Sequence, residues 1–454
     1  MTPKAENAAP LSSLHSNEMR AVRQRLIAGI VGALETVVAR QRADYPYLNT
    51  KFDISSGRNF HDNDPIRGRQ AIYSWIQGRG IEALCEHARW LGESACVPRE
   101  TGETLIAAIN HILPPVVEQM EQVRRTNRGL LPFVFRHDAA ASASCSLASA
   151  TSMSDLFYCK GLAAAGFHFN RRDWIDCAAE LFQRVTADLG TGKFQLGQIA
   201  FDPRNPVEAI PGRYSHAGRM VGIGAATLFY RLTGDAAYLE LGLEFIRYVL
   251  KNHTLSKEIP LTPFLQGDFW EFIDADRNPW SEPNEEVVSD PGHATEFTGL
   301  ALAHMEHCPL GNGELRKQLA NVLLRNFQNG FTGIGIVKTF DLRARRVING
   351  DMPWWSLPET MRAAALAAQR SHEWGGEADP FVEIFFQCEG AFVRHYLFQG
   401  SCHFAVQNLD REGRVSAAIP AIPDADPCYH TGLSLIGCLD WLEHRLAQRC
   451  AGSR

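Results

Sequence analysis

The chain has 454 residues, 45% hydrophobic and 21% charged, the composition of a soluble globular protein with room for one large domain or a few ordinary ones. A formal net charge of −6 and a pI near 6.3 give no support for nucleic-acid or anionic-membrane binding, and no apolar run of about 18 residues predicts a membrane span. Eleven scattered Cys without a CxxC pair, and a start (Met1-Thr-Pro-Lys-Ala-Glu-Asn-Ala) without the apolar stretch of a signal peptide, lead us to expect reduced thiols and a cytoplasmic location.

Residues 1–16 read as a loose polar arm ahead of a single domain over 17–450. From Asn17 to about Arg42, Met19, Val22, Leu26, Ile30, Leu34 and Val37 recur at helical spacing. After a polar stretch, a second helix is expected over about Ile66 to Leu91. A third covers about Arg99 to Arg125, with Pro114-Pro115 expected to kink or divide it. The Ala/Ser-rich run from Ala139 to Ser152 suits a mobile lid or a plain connector. A fourth helix follows Ser154-Asp155 to near Phe169, and a fifth runs from the turn at Asn170–Asp173 to about Leu189. A short strand is expected within Lys193 to Ile199. The sixth (about His216 to Leu232) and seventh (about Ala236 to Lys251) helices flank Thr-Gly-Asp, and an aromatic loop over 260–290 leads to an eighth at His293. The ninth covers about Gly313 to Gly330, and Val337–Leu342 with Arg345–Ile348 reads as a small β-hairpin. The tenth starts near Trp354 and the eleventh near Asp379. Cys402 to Val415 offers a second hairpin before a last helix from His430 to about Ala447.

Twelve helices joined alternately by short turns and long loops predict an all-α fold, an (α/α)6 toroid of six helical hairpins with small β-hairpins at one rim. The even-numbered helices carry the small and apolar runs that an inner ring needs, such as Gly161-Leu-Ala-Ala-Ala, Gly222-Ile-Gly-Ala-Ala, Leu300-Ala-Leu-Ala and Ala363-Ala-Ala-Leu-Ala-Ala. Long loops precede these helices, so the site is expected at the looped rim.

Four inner helices carry polar or aromatic groups near that rim. On the eighth, Asp290 and Pro291 are start signals, and His293 and Glu296 share the face of the first turn. A base beside a carboxylate can move a proton on a bound ligand; the plain alternative is a carboxylate compensating the helix dipole beside a surface His. The second helix offers Tyr73, Trp75 and Arg79, with Gly78 allowing close approach of backbone or ligand. Trp355 and Glu359 are i, i+4 neighbours on the tenth, with Trp354 alongside, and Asp426-Pro-Cys-Tyr-His430 opens the twelfth. The structural alternatives are a salt bridge for Arg79, core packing for the two Trp and a cap for His430. His61, His87, His111, His253 and His403 read as structural or surface groups.

Trp-Ile-Gln-Gly-Arg (75–79), Ser154-Asp-Leu-Phe-Tyr-Cys-Lys-Gly-Leu-Ala, Pro-Gly-His-Ala-Thr-Glu (291–296), Trp-Trp-Ser-Leu-Pro-Glu (354–359) and His430 follow one another over about residues 66 to 445. In that order they resemble motifs of the N-acylglucosamine 2-epimerase superfamily, which includes cellobiose 2-epimerases and mannose or sulfoquinovose isomerases. The resemblance implies an (α/α)6 barrel and a proton transfer, free of metal and cofactor, next to the carbonyl of an open-chain sugar. It casts His293 and His430 as acid/base groups, Arg79 as the group polarising the carbonyl oxygen, and Glu296 and Glu359 as tuning groups. That chemistry is sound: an enolate oxygen needs a cation, and histidine titrates near neutrality. Trp354 and Trp355 would stack on a sugar, and Tyr73, Trp75, Asp155, His216 and Arg219 are further candidate contacts.

The chain departs from the pattern in its sixth helix, where cellobiose 2-epimerases carry another His. Val221 and Gly224 stand there, so His216 or Arg219 is expected to fill the space differently. Arg67, Arg69, Lys160, Arg213 and Arg219 would suit a carboxylated sugar, or are structural. A glycoside hydrolase pairing Glu296 or Glu359 with Asp155, or a uronate-specific lyase, is the alternative on the same toroid. A saccharide-binding protein with a dead site is a third reading. The expected partner is a neutral or uronic saccharide, and apolar outer helices are compatible with a homodimer.

Overall fold

The structure, a computed structural model, describes residues 16–42, 44–54, 56–137, 150–197, 210–255, 263–309, 311–397, 404–416 and 426–452. The expected N-terminal arm up to residue 15 and most of the Ala/Ser-rich run lie outside these residues, while Ser16 already belongs to the first helix. The described helices are α1 (Ser16–Arg40), α2 (Ser74–Glu93), α3 (Arg99–Thr126), α4 (Met153–His168), α5 (Arg172–Thr191), α6 (Ala217–Thr233), α7 (Ala237–His253), α8 (Pro291–Met305), α9 (Gly313–Gly330), α10 (Ser356–Arg370), α11 (Asp379–His395) and α12 (Ser434–Gly452). None is long and apolar enough to cross a membrane.

Local chemistry sets the helix ends. Ser152 and Asp155 form a capping box on α4, and α5 and α6 stop at Gly192 and Gly234, whose φ values of 71° and 73° suit glycine. Burial then sorts the helices into two layers. α4 buries every residue from Met153 to Gly166, whereas α5 buries one stripe, Trp174, Ala178, Leu181, Phe182, Val185 and Leu189. Each even-numbered helix packs on the next, from α2 round to α12, and a π-type turn over Tyr429–Leu433 closes the ring onto α2. The odd-numbered helices back this ring, with α1 lying against α12 and α3. The result is the expected (α/α)6 toroid.

Glycine sets the crossing of α2 and α4. A Cβ at Gly78 would stand 2.6 Å from the carbonyl carbon of Phe157, and one at Gly161 would stand 2.5 Å from the carbonyl oxygen of Gly78. The backbones of α2 and α4 therefore touch.

Several expectations need correction. α2 starts at Ser74, because Asp64 Oδ1 accepts the N–H groups of Ile66 and Arg67 in a turn and Ala71–Tyr73 is a strand antiparallel to Val134–Arg136. α3 is not divided at Pro114-Pro115: one helix spans the pair, with Ile109, Ile112 and Leu113 buried before it and Val116, Val117 and Met120 after it. The strand near Lys193 reduces to a bridge between Gln195 and Ser152. The first hairpin forms from Thr339–Asp341 and Arg346–Asn349, with Val288–Ser289 as a third strand. The second is present as a short turn-back, in which Leu409 bridges Val415 antiparallel and Ser416 N–H donates to the Asn408 carbonyl at 3.0 Å, and Asn408–Leu409 pairs in addition with Met352–Pro353. All these strands lie in the long connections before inner helices, at one rim.

Candidate active site

Asp290 caps α8 by accepting the N–H groups of Gly292 (2.9 Å) and His293 (3.2 Å), which puts His293 on the first turn at the looped mouth. His293 Nδ1 lies 2.9 Å from Glu271 Oε1 and 3.3 Å from Asp290 Oδ2. The other Glu271 oxygen meets His216 Nε2 at 3.1 Å, so one buried carboxylate bridges two imidazoles. Lys338 Nζ stands 2.6 Å from Asp290 Oδ2. Burial opposes charge on His293, but the carboxylates of Asp290 and Glu271 outweigh it and push the imidazole up to about 9. Burial likewise opposes ionisation of Glu271, yet His293 and His216 hold it well below the usual carboxylate range.

Across the mouth, Asp426 accepts the backbone N–H groups of Tyr429 (2.6 Å), His430 (3.2 Å) and Thr431 (2.6 Å), which fixes the turn. His430 Nδ1 lies 2.9 Å from Glu359 Oε1, and Arg362 donates to the other Glu359 oxygen. Against its burial, Arg362 and His430 keep Glu359 below the ordinary carboxylate range. Glu296 joins this group: its carboxylate, that of Glu359 and the His430 imidazole offer atoms within 4.8 Å of one another. The Trp355 ring links the two sides, 5.2 Å from His293 and 5.7 Å from His430.

Arg79 makes no salt bridge among the described residues, and its Nε is buried without a hydrogen-bond partner. Its guanidinium is held by ring faces instead, 4.2 Å from Phe157, 4.5 Å from Trp75 and 5.3 Å from Tyr429. Burial lowers its pKa, opposed by Tyr429, Glu296, Asp426 and Glu359. Trp75, stacked on Phe157, is thus a wall for Arg79, while the indole N–H of Trp354 is buried without a partner.

Three expected contacts are placed elsewhere. Tyr73 is buried, with its hydroxyl donating to the Ile66 carbonyl at 3.1 Å. Asp155 serves the α4 cap: its oxygens accept the N–H groups of Leu131 and Ser152, each at 2.8 Å, and burial pushes the carboxyl up to about 6. Arg219 turns to the outer layer, 3.7 Å over Tyr248, and donates to the Leu189 carbonyl at 2.9 Å. His216 belongs to the cluster but is fully buried, deeper than His293. His403 lies outside the described residues.

Sequence reasoning missed Glu271 and Lys338. Neither follows a period: Glu271 is positioned by its N–H bond to the Val288 carbonyl at 2.9 Å, and Lys338 by its bond to the Asp351 carbonyl at 2.7 Å. His216, Glu271 and His293 offer atoms within 4.8 Å, as do Glu296, Glu359 and His430, and both groups have a donor set a divalent cation could use. Their contacts are those of imidazoles oriented by carboxylates.

The model of the N-acylglucosamine 2-epimerase (GlcNAc 2-epimerase) family matches residues 162–431, more than half of the chain. This chain belongs to that family. The matched region of this epimerase-family protein holds His293, Glu296, Glu359 and His430, and Arg79 precedes it. No curated protein matches the chain in sequence. Its fold is similar to cellobiose 2-epimerase from Bacillus thermoamylovorans B4167 (TM-score 0.66, 11% identity, 95% of this chain and 100% of that one). It is also similar to cellobiose 2-epimerase from Spirochaeta thermophila DSM 6192 (TM-score 0.65, 13% identity, 96% and 100%) and to a D-mannose isomerase (TM-score 0.60, 12% identity, 96% and 100%).

Proposed function

We propose that this epimerase-family protein is a sugar epimerase or aldose–ketose isomerase that moves a proton next to the carbonyl of an open-chain sugar. One observation carries the reading: His293 and His430 come from distant parts of the chain, each is held at Nδ1 by a carboxylate, and both adjoin the Trp355 ring. Each imidazole therefore keeps Nε2 for chemistry. In the proposed cycle His430 takes the proton from the carbon beside the carbonyl. Arg79, which has no ion-pair partner among the described residues, holds the enolate oxygen, and the charged His293 supplies a proton. Return to the same carbon from the other face gives an epimer; delivery to the former carbonyl carbon, with the proton of the neighbouring hydroxyl passing to the former carbonyl oxygen, gives a ketose.

Charge balance favours a neutral sugar over a uronate. Of the basic groups expected to suit a carboxylated sugar, Arg69, Lys160 and Arg213 are paired with Asp62, Glu82 and Glu282, and Arg219 turns to Tyr248 and the Leu189 carbonyl in the outer layer. The hydrolase reading loses Asp155, whose oxygens are taken by backbone N–H groups. The test is a panel of neutral, N-acetylated and uronic sugars, with products separated by chromatography. We expect interconversion of a neutral sugar, lost in His293→Asn and in His430→Asn. New reducing ends without interconversion would replace this reading with bond cleavage.

A further inference from the structure

Three buried side chains that the proposed proton transfer does not use meet beside Arg79. Lys160 of α4 is 2% exposed; its Nζ donates to Tyr429 Oη at 2.5 Å and stands 3.0 Å from Glu82 Oε2 of α2. Burial opposes the ammonium, yet Glu82 and Tyr429 hold its pKa above that of a free lysine. Burial also pushes the Tyr429 phenol up to about 12. The pair is thus an ammonium and a neutral phenol across the physiological range. An ammonium only donates, so Tyr429 Oη is the acceptor in this bond.

A buried ion pair is weak evidence for stability, since apolar groups of similar volume often serve as well. Its location suggests another use. The Tyr429 ring is one wall of the Arg79 box, at 5.3 Å, and lies 5.1 Å from the His430 ring. Among the described residues no carboxylate pairs with Arg79, so the placing of its ring walls, Tyr429 with Phe157 and Trp75, sets where the guanidinium points. Lys160 fixes the far end of the wall. α6 comes up beside the ammonium at Gly224, where a Cβ would stand in ordinary contact with Lys160 Nζ, at 3.5 Å.

We propose that Lys160, neutralised by Glu82, is a positioning residue that locks Tyr429 and through it sets both the Arg79 guanidinium and the His430 imidazole for proton transfer. This inference rests on the isomerase reading above. Its test uses the double variant Glu82→Gln/Lys160→Met, which removes both charges so that neither is left buried alone, with folding checked by thermal melting. We expect kcat to fall about tenfold to a hundredfold while KM stays within about threefold, the pattern of misplaced catalytic groups. The His430 imidazole resonance in 15N-histidine NMR, assigned by its absence in His430→Asn, should shift in the double variant. Tyr429→Phe removes the acceptor alone and should add little when combined with the double variant, because both break one link.

Losses that multiply in the combined variant, or an unmoved His430 resonance with unchanged kcat, would overturn the inference. A wild-type protein that interconverts no sugar would overturn the isomerase reading. The resonance comparison would then still decide whether Lys160 sets the His430 ring.

Discussion

His293 holds its proton because two carboxylates, Glu271 and Asp290, face its Nδ1, and each can be altered alone. If His293 is the acid, wild-type kcat/KM falls as pH rises through about 9. In Glu271→Gln the fall comes at lower pH; an unmoved alkaline limb would contradict the assignment. The same shift has a stability sign. A histidine raised from 6.5 to about 9 contributes stability fully present below pH 6.5 and lost as pH rises through 9. The melting temperature of the wild type should therefore drop more over that interval than that of His293→Gln. Asp155 belongs to the other class of carboxylate. Removing the cap with Asp155→Ala should cost about 1–2 kcal/mol of stability, read by chemical denaturation, and leave kcat of the folded enzyme unchanged. The Ser152-x-x-Asp155 spacing already carries the signature of a capping box, whereas nothing around Glu271 marks its role, since a single long-range backbone bond to Val288 delivers it. The places of His293 and Glu296 were legible because α8 opens on the start signals Asp290-Pro291, and Glu359 stands in the first turn of α10.

Among the elements, the α2–α4 crossing shows how packing sets the site. Gly78 is followed directly by Arg79, and its missing side chain lets the α4 backbone approach. Gly78→Ala would drive a methyl into the Phe157 backbone, where no side-chain rotation relieves the clash. We expect a loss of more than about 2 kcal/mol of stability together with lower activity, as Arg79 moves with its helix. Gly390 of α11 is the control: nothing lies within 4 Å of a Cβ built there. Gly390→Ala should stabilise by about 0.5–1 kcal/mol without touching activity, since alanine favours the helix. Helical periodicity gave most boundaries to within a few residues. It failed at Ile66–Tyr73, where a turn and a long-range strand win over local spacing, and at His430, which stands in a π-type turn ahead of α12.

For the whole molecule, alternating short and long connections were enough to foresee the toroid, and the closing of the ring was not. That closure depends on α1 meeting α12 and on the Tyr429–Leu433 turn meeting α2, contacts between the two ends of the chain. The same closure carries His430 to the mouth where His293 stands. In heavy water, followed by proton NMR with the neutral sugar that interconverts, the account predicts that the wild type replaces the hydrogen beside the carbonyl with deuterium, and that His430→Asn does not. Interconversion with that hydrogen retained, or exchange that survives the loss of His430, would contradict it.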